Sequence, residues 1–277
     1  MKVTATVLVE NSVLVGRDLV GEHGWAVFLE TEGGNFLLDT GQGNAIINNA
    51  RLLRKDLSSV KGIILSHHHY DHTGGLIQAL EHIGPVDVYA HPDLFKKSYL
   101  RRKGEEEQYI GIPFTQEELE EKGARFRFDK GWQELIPGLY ITGEVPRTTS
   151  FETGPADMFC KENDAYIKDS LLDDQSLALV TEQGLSVILG CAHAGIINTL
   201  QYCMEKTGCR QVNIVMGGTH LGPQDQATKE QSIQALKELT IKRIGGSHCT
   251  GLPTSARLAT EFGERFFFAS VGTVVQL

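Results

Sequence analysis

Directly after an apolar run, Ile63-Ile64-Leu65, the chain reads Ser66-His67-His68-His69-Tyr70-Asp71-His72-Thr73-Gly74-Gly75. Four potential metal ligands, His67, His69, Asp71 and His72, stand within six positions, with His68 as a fifth. In an extended chain His67, His69 and Asp71 share one face, about 6.5 Å apart per pair. Metal–nitrogen bonds are only about 2.0–2.1 Å long. The chain must therefore curl around an ion, and the segment is predicted to be a loop at a strand end. Asp71 and His72 are adjacent and diverge, which suits a second ion beside the first. Gly74 and Gly75 free the backbone for so tight a path. A surface histidine run explains the pattern poorly, because such runs lack a strand before them and Gly-Gly after.

Around this segment, short runs rich in Val, Ile and Phe alternate with turn residues. Residues 3–9, 25–30, 36–38, 63–65 and 86–90 read as strands, with a hairpin turn at Gly33-Gly34-Asn35 and a helix over 45–54. The second half repeats the style. Strands are predicted at 176–181, 185–189, 212–216, 241–244, 265–269 and 274–277, with helices at 196–206, 225–239 and 254–262. Residues 92–172 lack this rhythm and read as an insertion or lid with one helix, 115–122. The expected architecture is one α/β domain over 1–277, two sheet-plus-helix halves packed sheet to sheet in four layers.

Composition narrows the function. The formal net charge of −9 argues against a nucleic-acid backbone as ligand, which needs a basic stripe. The basic groups Lys96-Lys97 and Arg101-Arg102-Lys103 run into Glu105-Glu106-Glu107 and read as a solvated face or loop. No apolar run is long enough to span a bilayer, and the first residues read as a strand and not a signal peptide. Five cysteines without a Cys-x-x-Cys pair suit a reducing compartment. A cytoplasmic location is expected; the oligomeric state is left open.

The motif His-x-His-x-Asp-His after an apolar strand resembles the signature of the metallo-β-lactamase superfamily. Other pieces follow in that family's order. Leu37-Leu38-Asp39-Thr40-Gly41 is similar to its early Asp-Thr-Gly turn, Gly190-Cys191-Ala192-His193 to its third first-metal ligand, and Ser247-His248-Cys249 to its last second-metal ligand. The resemblance implies a four-layer αββα sandwich. It implies one ion held by His67, His69 and His193, a second held by Asp71, His72 and His248, and Asp39 orienting a ligand histidine. Where the family carries a bridging aspartate, Gly217-Gly218-Thr219-His220 places a histidine, and an imidazole cannot bridge as a carboxylate does. His220 is therefore expected to bind one ion or to contact substrate. Zinc, as one or two ions, is the expected cofactor, with iron, manganese or nickel open to the same donors. Gly21-Glu22-His23-Gly24, Gly143-Glu144-Val145-Pro146-Arg147 with Phe151-Glu152, and Asp173-Asp174-Gln175 resemble a subgroup containing an archaeal methanopterin-pathway dihydropteroate-synthase-like enzyme and bacterial metal-dependent hydrolases.

Arg147 suits an anionic substrate group, since a guanidinium matches phosphate or carboxylate; His23, Phe151 and Glu152 are further substrate contacts. Cys191 and Cys249 read as small buried side chains more than as ligands, His91 as a rim or packed histidine, His82 as structural or exposed, and Asp173 and Asp174 as turn residues. A metal ion lowers the pKa of bound water from about 15.7 to about 7. Hydrolysis by a metal-bound hydroxide is the expected reaction, on an ester, amide, thioester or phosphoester of a small anionic molecule, with Asp71 and His220 catalytic. A transferase joining a dihydropterin diphosphate to an aminobenzene ribosyl phosphate is the alternative, with Phe151 or Phe159 meeting the pterin. A non-catalytic metal-binding module is the third reading.

Overall fold

In a computed structural model, residues 1–16, 18–163 and 165–277 are described. The chain opens with β1 (Val3–Val9) and the hairpin of β2 (Ala26–Thr31) and β3 (Gly34–Leu38). Val27 and Leu29 of β2 enter one apolar cluster while Phe28 enters another. A strand apolar on both faces must lie between two layers. From β3 the chain crosses through α1 (Ile46–Leu52) to β4 (Val60–Ile64). It continues through α2 (Tyr70–Thr73) and α3 (Leu76–Ile83) to β5 (Val86–Ala90). These crossovers let β3, β4 and β5 pair in parallel.

The chain then forms β6 (Ser98–Leu100), β7 (Gln108–Tyr109), α4 (Gln116–Glu121), β8 (Ala124–Phe128), β9 (Gln133–Ile136), β10 (Leu139–Ile141), β11 (Met158–Glu162) and β12 (Ala165–Lys168). A second hairpin, β13 (Leu177–Thr181) and β14 (Gly184–Leu189), leads through α5 (Ile196–Thr207) to β15 (Val212–Gly218). From there α6 (Gln226–Glu238) leads to β16 (Ile241–Ser247), α7 (Leu252–Phe262) to β17 (Phe266–Phe268), and the chain ends on β18 (Val274–Gln276).

Two seven-stranded sheets result, ordered β18-β1-β2-β3-β4-β5-β8 and β17-β16-β15-β14-β13-β10-β9. Each is antiparallel over one end and parallel over the other. Between them lies a shared core in which Val27, Leu29 and Ile64 meet Leu179, Ile188 and Met216. Helices α1 and α3 cover the outer face of the first sheet through Ile46, Leu76 and Leu80. Helices α5, α6 and α7 cover the second through Leu200, Ile233, Leu236 and Leu258. The molecule is a four-layer αββα sandwich, as the rhythm of the sequence predicts. Among the described residues no helix is long and apolar enough to cross a membrane.

Residues 92–172, read from sequence as one insertion, divide three ways. Strand β8 extends the first sheet beside β5, and β9 and β10 extend the second beside β13. Among the described residues, β6, β7, β11 and β12 stand apart as a four-stranded sheet ordered β12-β11-β6-β7. The predicted helix 115–122 is α4, started by a capping box between Thr115 and Glu118.

Candidate metal centre

The carboxyl ends of the parallel strands carry the candidate site, the usual place for a ligand in open α/β sheets. Asp39 follows β3 and His67, His69, Asp71 and His72 follow β4; Cys191 and His193 follow β14, His220 follows β15 and His248 follows β16. Among the described residues seven non-glycine residues have positive φ, and four of them are in these exits: Asp39, Ala192, His220 and His248. Such strain persists only where the surroundings over-determine it. Gly190 has no side chain for a steric reason: a Cβ there would collide with the Ser66 side chain.

Three buried imidazoles form the first group. His67 Nε2 lies 3.0 Å from His69 Nδ1 and 3.3 Å from His193 Nε2. Tetrahedral bonds of about 2.0–2.1 Å would separate two nitrogens by roughly 3.3 Å. The hydrogen bonding points the same way. Ser66 Oγ donates to Asp39 and is left to accept from His67 Nδ1, 2.9 Å away, so His67 Nε2 carries a lone pair. His69 Nε2 and His193 Nδ1 are buried without partners. Burial, reinforced by neighbouring imidazoles, holds His67 and His193 well below the usual histidine pKa, and burial brings His69 to about 3. Neutral rings with converging lone pairs are what a divalent cation requires.

The second group is Asp71, His72 and His248. Nε2 of His72 is 3.2 Å from Nε2 of His248, and Asp71 Oδ2 is 3.2 Å from the latter and 3.9 Å from the former. His72 gives its Nδ1–H to Asp39 Oδ2 at 2.7 Å. His248 gives its Nδ1–H to Asn11 Oδ1 at 3.1 Å, and the N–H of Gly24 reaches that same oxygen, which identifies the acceptor end of the amide. Two imidazole nitrogens and a carboxylate oxygen thus converge. Burial opposes a charge on His72, yet Asp39 and Asp71 raise its pKa to about 9. Burial would raise the carboxyl of Asp71, but His72, His23 and His248 hold it well below its ordinary value. The residues of both groups fit a divalent metal.

The structure brings Asp39 against the loop twice more, accepting from the Ser66 N–H and Oγ at 2.7 Å each. His23 is exposed at the rim, with Nε2 3.1 Å from Asp71 Oδ2 and Nδ1 3.4 Å from Asn11 Nδ2. The amide donates to Nδ1, so Nε2 of His23 carries a proton toward Asp71. His220 is buried with its ring centroid 4.2 Å from that of His193, and burial lowers its pKa to about 4. It lines a cavity of about 330 Å³ together with Asp71, His69, His193, His248 and Tyr70.

Three expected substrate contacts lie elsewhere. Arg147 hands its guanidinium to the carbonyls of Ser170 and His193. Glu152 accepts from the N–H groups of Ile197 and Asn198, compensating the first turn of α5. Phe151 packs into the apolar cluster under that helix. All three support the His193 loop from behind and none lines the cavity. Sequence reasoning missed Arg102, Asp157, Met158 and Tyr70, which do line it. Arg102 sits in a mixed charge run with no pattern to set it apart. Cys191, read as a small buried side chain, is buried but has its Sγ 3.1 Å from His72 Nε2. Asp173 and Asp174 do more than turn the chain. Asp173 accepts from both the backbone and the ring of His68, and Asp174 accepts from the N–H of Ala194.

Residues 19–148 match the metallo-beta-lactamase superfamily. A relative from Methanocaldococcus jannaschii, named 7,8-dihydropterin-6-methyl-4-(beta-D-ribofuranosyl)-aminobenzene-5'-phosphate synthase, is 32% identical over 92% of this chain and 90% of its own. The chain belongs to the metallo-β-lactamase superfamily. A second protein of that organism, uncharacterised MJ0448, is 26% identical over 97% of this chain and 98% of its own. Among solved structures, Tm1679, a metal-dependent hydrolase of the β-lactamase superfamily, superposes with a TM-score of 0.85 at 26% identity, covering 99% of each chain. The fold is that of the superfamily's metal-dependent hydrolases, and the subgroup is the one these relatives define.

Proposed function

We propose that this chain is a zinc-dependent hydrolase of a small anionic substrate carrying an ester, amide, thioester or phosphoester bond. The carrying observation is the convergence of His67, His69 and His193 beside Asp71, His72 and His248, with His69, Asp71, His193 and His248 lining one cavity of about 330 Å³. In this reading the first three hold one ion and the second three hold another. A bound divalent ion supplies a Lewis acid for the scissile oxygen and a water acidified toward neutral pH.

The chain's own residues then have separate tasks. Asp71, an ionised carboxylate at working pH, orients the attacking water. His23, with its Nε2 proton directed at Asp71, passes protons between that carboxylate and solvent. His220, neutral and beside His193, donates a hydrogen bond to a substrate oxygen. Arg102 attracts the anionic part of the substrate to the third-sheet side of the cavity.

The 32% relative's name supports a second reading, a synthase joining a dihydropterin diphosphate to an aminobenzene ribosyl phosphate. One experiment separates the two. Zinc-loaded protein is offered aryl esters, a thioester, a phosphodiester and the dihydropterin diphosphate pair. The hydrolase reading expects turnover of at least one hydrolytic substrate, lost in His193→Ala because that variant removes a donor of the first ion. Diphosphate release only when both synthase substrates are present would replace it with the second reading.

A further inference from the structure

We propose that a second subsite, built for a phosphoryl group carried on a planar ring, adjoins the metal cavity across Arg102. A cleft of about 310 Å³ is lined by Arg101, Arg102, Lys103, Glu105, Glu107 and Phe159. Arg102 is the shared wall, for it also lines the metal cavity. The cleft is formed by the connection from β6 to β7 together with β11, so the third sheet supplies all of it.

Three cations face two carboxylates there. The guanidinium of Arg101 lies 3.9 Å from the ring centroid of Tyr166 and 5.7 Å from that of Phe159, and its Nε pairs with Glu107 at 3.2 Å. Arg102 is pinned through its Nε to Asp157 at 2.8 Å, and only a long 3.9 Å approach joins its terminal nitrogen to Glu105. Both guanidinium groups are thus held by one edge. Their terminal N–H groups stay available, in a fixed plane, for a second acceptor. Among the described residues Lys103 pairs with no carboxylate. A planar fork held by stacking loses little entropy when it binds, and it matches phosphate with two parallel hydrogen bonds. Phe159 offers an apolar side to whatever carries the phosphate. Carboxylates at Glu105 and Glu107 hold the site in register while competing with the ligand for the same cations.

The substrate would therefore be extended, its scissile bond at the histidines and its phosphate at the third sheet. That orientation rests on the hydrolase reading above; the subsite itself is tested without turnover. Zinc-loaded full-length protein is titrated calorimetrically with phenyl phosphate. The Arg101→Gln/Lys103→Gln double variant is expected to weaken the dissociation constant at least tenfold. Glu105→Gln is expected to tighten it severalfold, a gain that a misfolded protein cannot give. An unchanged constant in the double variant, or no tightening in Glu105→Gln, would mean that phenyl phosphate meets only the metal end, and would overturn the subsite. A protein that binds phenyl phosphate in this pattern yet hydrolyses nothing would keep the subsite and lose the hydrolase reading.

Discussion

Asp39 shows how one buried carboxylate can govern a centre it does not join. Its two oxygens take three hydrogen bonds from the metal loop, two from Ser66 and one from His72. Asp39→Ala should therefore weaken zinc binding about 10–100-fold, as losing an orienting partner does. His67→Ala and His193→Ala should abolish uptake at the first group, because each removes a donor. Equal losses in all three variants, measured by competition with a chromogenic chelator, would refute the division. The two groups should also differ in pH response. In the metal-free protein His72 has its pKa raised to about 9, so at pH 7 it holds a proton that zinc must displace. Uptake at the second group should strengthen up to tenfold per pH unit toward pH 9. Uptake at the first group should be flat over this range, since those histidines are already neutral. Calorimetry in buffers of different ionisation enthalpy should find about one proton released by the second ion and none by the first; equal release would contradict the assignment. The donors themselves were legible in the sequence because a curled His-x-His-x-Asp-His run has few other uses. Their supports were not. Asn11, Ser66 and Asp173 are ordinary polar residues whose roles come from partners far along the chain, as with Asn11 and His248.

At the scale of elements, the third sheet is fastened to the metal loop by a buried ionic cluster. Lys96, just before β6, lies 2.8 Å from both Asp169 and Asp173, and Asp173 is 2.6 Å from His68 Nδ1. Ser98 of β6 also donates to Asp169. Burial alone would raise both carboxyls, but His68 and Lys96 outweigh it and hold them below the usual range. Removing the cation while leaving two buried carboxylates should cost about 3–5 kcal/mol. The sign with pH follows from the depressed values. Stability from these carboxylates is full above an unfolded pKa of about 3.9 and is lost as pH falls below it. Lys96→Met should therefore show its largest deficit in urea unfolding at pH 7 and a smaller one near pH 3.5, where the carboxyls can protonate. A deficit that grows on acidification would contradict the cluster's role. None of this was readable beforehand, and neither were β8, β9 or β10. Strand β8, Ala124–Phe128, alternates with exposed arginines and forms the edge of its sheet, so its apolar signal is weak. Helix α3 went unread because Leu76–Ile83 starts straight after the glycine pair, without a capping side chain. The strands buried on both faces were visible through short apolar runs, Val7-Leu8-Val9 in β1, Ile63-Ile64 in β4 and Val187-Ile188-Leu189 in β14.

For the whole molecule, the decisive fact is that each candidate ion would join the two halves. His67 and His69 leave the first sheet while His193 leaves the second; Asp71 and His72 belong to the first and His248 to the second. The order of the donors along the sequence already implied this, because the early motif and the two late histidines fall in different repeats of the strand–helix pattern. The shared core between the sheets is built from apolar side chains of the strands, while the loops at the carboxyl edge are joined by polar contacts and by whatever the histidines hold. An ion bound only by the folded state stabilises by RT ln(1 + [L]/Kd), about 4 kcal/mol at a thousandfold excess over Kd. For a chain of this size roughly 2–4 °C of melting temperature accompany each kcal/mol. Chelation should therefore lower the melting temperature by roughly 10 °C, with full recovery on adding zinc. The gain on re-adding zinc should shrink to about half in His193→Ala, because the first group no longer takes up zinc and only the second ion is left to join the halves. Differential scanning calorimetry of both proteins, chelated and reloaded, measures this directly. Melting temperatures that agree within about 1 °C with and without zinc would show that the ions do not tie the halves together.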